Sequence, residues 1–435
     1  MASIDVPVAL LGYGTVGAAV NRLLVESADD IERATGHRLR VVKALVRDIG
    51  KERDFAAADG VLTTDFAEIA EDPSIAVVAE VLGGVEPAGT YVSDLLGRGK
   101  SVVSANKQLV ARRGAELFAA ASGAGCQLRF EASVCAAIPV IKVLREALVV
   151  TNVHRILGIV NGTTNFILTE MEGGSSYAEA LAEAQRRGFA EADPTDDVNG
   201  ADAAAKMAIL ATVAFHSRVE LTDVAREGIE AITEEDIRAA KELDMVVRLV
   251  GSANLVDGRL DVRVHPAFVD RHHPLASVEG AFNAVMLQGD AIREITLEGP
   301  GAGGIETASA VVADMVSVIG TMGTGFLQND PCWRTLEKLP PGDLQCPFYL
   351  RLHVVDRPGV LAQVAETLAR HELSVARIVQ HGNGADASLH VVTHEGPSGS
   401  MWAALADIAS LAGTKERPVA LPVISERGVA ELQWA

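Results

Sequence analysis

The sequence predicts an α/β protein in three parts: a doubly wound parallel sheet, an α+β middle domain and a small C-terminal βαββαβ domain. Three observations carry this. Short apolar runs alternate with helical spacing through the first third of the chain. A glycine-rich turn, Gly12-x-Gly14-x-x-Gly17, follows the first of those runs. After a Pro340-Pro341-Gly342 break the pattern restarts as strand, helix, strand, strand, helix, strand.

The elements follow in order. Val6–Leu11 reads as a buried strand, and Ala18–Arg33 carries helical spacing. Leu39–Val46, Ile75–Leu82 and Ser101–Ser104 read as further strands, with helices such as Thr90–Gly97 and Gly114–Ser122 between them. Apolar strands separated by helices need cover on both faces, which a parallel doubly wound sheet gives. Character changes near Glu131. Val149–Val160 alternates as a strand, Tyr177–Arg187 is amphipathic, and Gly200–His216 is an alanine-rich helix. Thr233–Leu249 reads as another helix, while Arg259–Val269, Ala284–Gln288 and Ile292–Glu298 read as antiparallel strands. Pro331–Pro347 reads as a linker, because helix and strand both fail at Pro-Pro-Gly. Beyond it come strand Phe348–Val355, a turn at Asp356–Gly359, and helix Val360–His371. Strand Ser374–His381, a glycine-rich turn, strand Ala387–Thr393, helix Ser400–Ala409 and strand Val419–Val423 complete a ferredoxin-like order. The expected domains are 1–135 (nucleotide-binding, with a returning segment at about 305–330), 136–304 (substrate-binding), linker 331–347 and 348–425 (small domain).

Composition narrows the function classes. Hydrophobic residues make up 49% of 435, enough for a packed core. A formal net charge of −20 repels phosphate backbones and anionic membranes, so neither nucleic acid nor a membrane is an expected partner. Four cysteines, none in a C-x-x-C pair, fit a reducing compartment. The opening MASIDVPVALLGYG lacks the build of a signal peptide, and no run approaches the ~20 apolar residues of a membrane helix. A cytoplasmic location is expected.

Gly12, Tyr13, Gly14, Thr15, Val16 and Gly17 form the strand–turn–helix loop of a Rossmann-like dinucleotide site. The first glycine permits the turn, the second lets backbone approach a pyrophosphate, and the third lets helix pack on strand. The second strand ends in ALVRD. Arg47 suits a 2′-phosphate and hence NADP; Asp48 suits the ribose hydroxyls of NAD, and both cofactors stay open.

Several segments then fall together. GYGTVG, SANK (Ser104–Lys107), EASVCAAIPV (Glu131–Val140), GIVNGTTNFIL (Gly158–Leu168), GFAEADPTDDVNGADAAAK (Gly188–Lys206) and GPGAGG (Gly299–Gly304) resemble the homoserine dehydrogenase family, in that order. The tail from Phe348 resembles an ACT domain. The combination resembles the longer bacterial form, without a fused aspartate kinase. The resemblance implies NAD(P)H-dependent reduction of L-aspartate 4-semialdehyde to L-homoserine, on the route to threonine, methionine and isoleucine.

Residue by residue, the resemblance implies the following. Lys206 matches the family's proton donor, and Lys107 a residue contacting cofactor and substrate that can share that role. Glu191 and Asp202 match substrate-binding positions, and an ammonium leaving water does want carboxylates beside it. By spacing alone, Asp202 and Lys206 are equally an ordinary i,i+4 ion pair. Asp193, Asp196 and Asp197 read as loop-ordering or helix-capping. Gly188 and Gly303 match cofactor contacts, and Thr307–Thr321 is expected to return to the nucleotide domain. Glu131 with the backbone oxygens of Val134, Ala136 and Ile138 matches a monovalent-cation loop, Na+ being expected. Where the family usually has glycines, this chain has Cys135, Ala136 and Ala137. Cys135 is read as a small packed residue, and His272-His273 as an exposed turn.

In the tail, DRPGVL marks the strand–helix junction where ACT modules commonly take an amino acid across a module–module interface. Threonine is the expected effector, and a homodimer or homotetramer the expected assembly. Two other readings remain: a different ACT-containing NAD(P)-dependent dehydrogenase, which should lack NGTTN, and a non-catalytic amino-acid sensor, which should lack an intact glycine loop or Lys206.

Overall fold

A computed structural model describes residues 4–326, 331–383 and 386–425. In chain order it begins β1 (Ile4–Leu11), α1 (Thr15–Glu26), α2 (Ala28–Thr35), β2 (His37–Leu45), β3 (Leu62–Thr63), α3 (Ala67–Ala70), β4 (Val77–Glu80), α4 (Ala88–Gly97), β5 (Ser101–Ser104), α5 (Lys107–Ala124) and β6 (Leu128–Arg129). There follow α6 (Val140–Lys142), β7 (Val153–Ile159), α7 (Gly162–Glu172), α8 (Tyr177–Arg186), α9 (Thr195–Val198), α10 (Ala201–Phe215), β8 (Ala225–Arg226), α11 (Glu234–Glu242), β9 (Met245–Val256), β10 (Arg259–Asp270), β11 (Phe282–Gly289), β12 (Arg293–Pro300) and α12 (Gly304–Thr321). The tail adds β13 (Gln345–Cys346), β14 (Phe348–Val354), α13 (Val360–Arg370), β15 (Val375–Asn383), β16 (Asp386–Thr393), β17 (Gly396–Pro397), α14 (Ser398–Ala409) and β18 (Val419–Ile424). Two compact units result, one of 1–154, 205–223 and 283–335, the other of 155–204, 224–282 and 336–435.

The first unit is built on a sheet of order β3-β2-β1-β4-β5-β6, its strands parallel. Strand order reverses between β1 and β4, which opens a crevice beyond their carboxyl ends. Val8, Leu10, Val77, Ala79 and Val103 are fully buried there. Ala308, Val311, Met315 and Val318 of α12 join the same core, and α12 packs along α1. Helix α12 is long and apolar enough by composition to cross a bilayer; its apolar face instead fills this core. The stretch 18–33, expected as one helix, is broken at Ser27, whose φ −103 and ψ 13 leave the helical region. Asp29 and Asp30 then sit in the first turn of α2, where the helix dipole favours them.

In the second unit the strand order is β7-β9-β10-β18-β14-β16-β15, with β8 on β10. The expected helix over 233–249 is corrected. Thr233 and Asp236 make a capping box and α11 stops at Glu242. Asp244 then takes φ 60, and Met245–Val256 pairs along β10 in an antiparallel hairpin. Residues 245–250, MVVRLV, are β-branched-rich, and burial in the sheet outweighed their helix-compatible spacing. The 331–347 segment is strapped to this sheet: Leu260 donates N–H to Glu337 O at 2.7 Å, and Leu339 donates to Leu260 O at 2.8 Å.

The C-terminal βαββαβ order folds as expected, although residues 384–385 of its glycine-rich turn lie outside the described residues. So do 327–330 of the expected returning segment. Alternation along β14 separates two faces. Phe348, Leu350, Leu352 and Val354 pack with Val360, Val364 and Leu368 of α13 and Met401, Ala404 and Ile408 of α14. Tyr349, Arg351 and His353 point the other way and meet α11.

Candidate active site

In the first unit the glycine loop is fixed by contacts no side chain permits. Gly12 has φ +106, and a Cβ there would lie 3.0 Å from Val81 O. A Cβ on Gly17 would lie 2.3 Å from Gly12 O. Gly14 is different: its φ is −86, and a Cβ there meets nothing within 4 Å. Nothing in the protein demands this glycine; the open space beside it is what an incoming pyrophosphate needs. The first turn of α1 also carries no acidic residue, and no side chain caps it, so its N–H groups and dipole face that space. Gly303, at φ +138, and Gly304, where a Cβ would lie 2.9 Å from Thr15 Cγ2, bring the second glycine turn onto the same loop. Gly14→Val is therefore expected to leave the melting transition within ~1 kcal/mol of wild type. The same change should weaken NADPH at least about tenfold in a fluorescence titration.

Arg47 is exposed just past β2. Asp48 is turned to its own loop, its Oδ1 accepting from Gly50 N at 2.8 Å. Sequence reasoning missed Arg53, which donates to Tyr13 O at 3.1 Å and to Asp48 O at 2.6 Å, tying the 48–53 loop to the glycine turn. It also missed Glu80. Buried at the end of β4, Glu80 accepts from Ser104 Oγ at 2.6 Å and Asn106 Nδ2 at 3.3 Å. Asn106 in turn caps α5 through Leu109 N at 3.1 Å, and Lys107 is the first residue of that helix. Burial raises the Glu80 carboxyl above its ordinary range. An acid ending the apolar run AVVAE was the available signal.

Glu131 accepts from Ile141 N and Lys142 N, both at 2.8 Å, at the start of α6. Its own N–H donates to Asp314 Oδ2 at 2.9 Å. Burial, aided by the Asp314 charge, pushes the Glu131 carboxyl up to about 7. Between Glu131 and α6 the chain turns sharply: Cys135 has φ 54 and Ala136 φ 38, the left-handed region glycine prefers. Cys135 is buried, as are Val134, Ala136 and Ile138. Asp314, from α12, was not visible as part of this loop in the sequence.

In the second unit Asn161 organises the acidic stretch. Its Nδ2 donates to Asp197 Oδ1 at 2.7 Å and to Asp202 Oδ2 at 2.9 Å. Its Oδ1 accepts from Thr164 N at 2.8 Å, which caps α7. Thr163 holds Phe189 O at 2.6 Å, and Asn165 spans to Val278 O and Gly280 O at 3.1 and 3.0 Å. Asp202 is buried, while Glu191 is exposed in the preceding loop. Asp193 orders that loop by accepting from Thr195 N and Oγ1. Asp197 reaches the Asn161 cluster, a closer role than loop-ordering. Gly188 takes φ +77 at the turn after α8, a conformation that by itself calls for glycine. Helix α10 carries Asp202 and, one turn on, Lys206, which is also buried. Of the His272-His273 pair only His272 is exposed; His273 is buried and its Nδ1 accepts from Leu275 N at 3.2 Å.

A glycine cradle at the switch point of a parallel sheet defines a dinucleotide-binding protein of the Rossmann-like class. Residues 139–316 match the family described as homoserine dehydrogenase, residues 12–131 its NAD-binding domain and residues 348–413 the ACT domain. Homoserine dehydrogenase of Bacillus subtilis is 42% identical over 393 residues, covering 89% of this chain and 91% of its own. The crystal structure of a homoserine dehydrogenase from Thiobacillus denitrificans superposes with a TM-score of 0.92 at 38% identity, covering 97% and 99% of the two chains. A hyperthermophilic archaeal homoserine dehydrogenase in complex with NADPH gives 0.62 at 30% identity, over 73% of this chain and 98% of that one. This chain belongs to the homoserine dehydrogenase family and is an NAD(P)-dependent oxidoreductase with a C-terminal ACT domain.

Proposed function

We propose that the chain reduces L-aspartate 4-semialdehyde to L-homoserine, with domains bounded at 1–135, 136–304 and 348–425. The supporting observation is the Asn161–Asp197–Asp202 cluster one helical turn before the buried Lys206. The bound nicotinamide supplies the hydride. Asp202 and Glu191 take the substrate ammonium, whose transfer out of water demands opposite charge. Lys206 gives a proton to the aldehyde oxygen as negative charge develops there. Lys107, at the carboxyl end of β5, orients substrate against cofactor, and the Glu80–Asn106 network fixes the start of its helix. Gly12, Gly14, Gly17, Gly188 and Gly303 give the cofactor backbone access.

NADP is the favoured cofactor, because Arg47 stands exposed while Asp48 is engaged in its own turn. Arg47→Ala is expected to raise KM for NADPH about tenfold or more and to leave that for NADH within about twofold. Equal effects on both cofactors would remove Arg47 from the 2′-phosphate. Glu131 with the backbone oxygens of Val134, Ala136 and Ile138 is assigned a monovalent cation, Na+, on the family resemblance; the left-handed backbone kept at Cys135 and Ala136, where glycines are usual, supports it.

Steady-state NADPH oxidation with L-aspartate semialdehyde tests the whole reading. Turnover is expected, reduced in Na+-free buffer and inhibited by L-threonine acting through the ACT domain. Absent turnover with NADPH bound overturns the substrate; indifference to Na+ or threonine overturns the cation or the effector separately. Light scattering on the same sample is expected to show a homodimer or homotetramer. A cytoplasmic location fits this metabolic role.

A further inference from the structure

One buried amide in the first unit is unpaired at both of its atoms. Asn283, near the start of β11, is fully buried. Neither its Oδ1 nor its Nδ2 meets a hydrogen-bond partner among the described residues. Buried amides are normally paired, because an amide that leaves water without a new partner lowers stability. Natural chains keep such a breach of the rule mainly where function uses it.

The surroundings of Asn283 point to the cofactor. The amide lies against Gly301, where a Cβ would collide with both its Oδ1 and its Nδ2. Gly301 belongs to the second glycine turn, and the far end of that turn, Gly304, meets Thr15 of the first glycine loop. Pro300 and Ala302, on either side of Gly301, are exposed, so the amide lies one residue beneath the surface of the turn. Helix α12 leaves this turn and packs along α1, β4 and β5. The adenosine half of a dinucleotide follows the end of β2, where Arg47 stands. Its nicotinamide half then falls on the β4–β5 side of the switch point, the side that α12 covers.

We propose that Asn283 binds the carboxamide of the nicotinamide ring, its Oδ1 accepting from the carboxamide NH2 and its Nδ2 donating to the carboxamide oxygen. The proposal rests on the NADPH-dependent reading above and adds the residue that recognises the reacting end of the cofactor. Other ligand groups fit less well. An asparagine amide offers an acceptor and donors side by side in one plane. The Glu131 loop is a neighbour, since Ile138 Cγ1 would lie 3.4 Å from a Cβ on Gly299. A cation there would satisfy Oδ1 and leave Nδ2 orphaned. A phosphate or a substrate carboxylate would do the reverse. A carboxamide carries the matching pair in one plane and closes both bonds; the adenine edge does too, but belongs on the β2 side. Gly301 covers the amide, so pairing requires the turn to shift. Glycine at 299, 301, 303 and 304 leaves its backbone free to do so.

Calorimetric titration of the full chain tests this with two ligands. One is NADPH; the other is its 3-acetylpyridine analogue, in which methyl replaces the carboxamide NH2. Wild type is expected to bind NADPH about tenfold or more tightly than the analogue, which leaves Oδ1 unpaired. Asn283→Leu and Asn283→Ala are each expected to weaken NADPH about tenfold or more and to bring the two ligands within about threefold of each other. Asn283→Leu should melt no lower than wild type, since no hydrogen bond within the protein is lost. Asn283→Ala reads the same contrast without the bulk of leucine against Gly301. Variants that melt lower yet keep wild-type affinity for NADPH make the amide a structural group and overturn the proposal. Equal weakening of both ligands, with the preference for NADPH kept, moves Asn283 away from the carboxamide and overturns it too. Wild-type chain that binds no NADPH overturns the cofactor reading itself.

Discussion

Lys206→Ala is expected to lower kcat by about 10²–10⁴ while NADPH still binds. Lys206 is buried on α10, one turn beyond Asp202, and its helix contributes no part of the glycine loop. Its loss should therefore leave cofactor affinity near wild type and fall on the chemical step. Lys206→Arg separates charge from proton transfer. Arginine keeps the positive charge but does not give up a proton at accessible pH. If Lys206 works as a proton donor, the arginine variant stays slow; if charge alone is needed, arginine restores most of the rate. Single-turnover NADPH oxidation reads this directly. A wild-type rate in Lys206→Ala would return the Asp202–Lys206 spacing to an ordinary helix ion pair and pass the donor role to Lys107.

What the sequence disclosed follows from how local each signal is. The glycine loop was legible because Gly12 and Gly17 answer backbone constraints within one turn, with Gly14 between them on the open side. The βαββαβ tail was legible because β14 alternates, residue by residue, between the helix-covered face and the α11 face. Strand β9 was not, since MVVRLV satisfies both periods over so short a run and only its pairing with β10 decides. The acidic stretch announced itself by composition, yet its organiser is Asn161, brought beside Asp197 and Asp202 by the fold. Asp314 was hidden for the same reason: it is a single charged residue whose partner, Glu131, stands far off in sequence. No spacing rule reaches across such a gap; burial of a charge is the sign, and it needs coordinates.

Burial of charge also sets the largest expected loss of stability. Asp236, fully buried at the third position of α11, accepts from Thr233 N at 3.0 Å and Thr233 Oγ1 at 2.9 Å. The same carboxylate pairs with Arg351 of β14, whose side chain is only 10% exposed. Tyr349 completes the set at 3.4 Å. One carboxylate thus caps α11 and neutralises the guanidinium that the ACT sheet turns toward it. Asp236→Ala leaves that largely buried guanidinium without its counter-charge, with only the Thr233 hydroxyl to hold it, which costs about 3–5 kcal/mol. For a unit of this size the melting transition should fall by about 6–20 °C. An exposed pair such as Arg22 with Glu26 should by contrast contribute only ~0.3–0.5 kcal/mol. The cause is checked by the double variant Asp236→Leu with Arg351→Met. Removing both charges eliminates the unpaired ion, so much of the lost stability should return, although the α11 cap stays missing. A double variant no more stable than Asp236→Ala would assign the loss to the cap and not to the ion pair. A melting shift under about 1 kcal/mol in Asp236→Ala itself would show that α11 and the ACT sheet are held together without this lock.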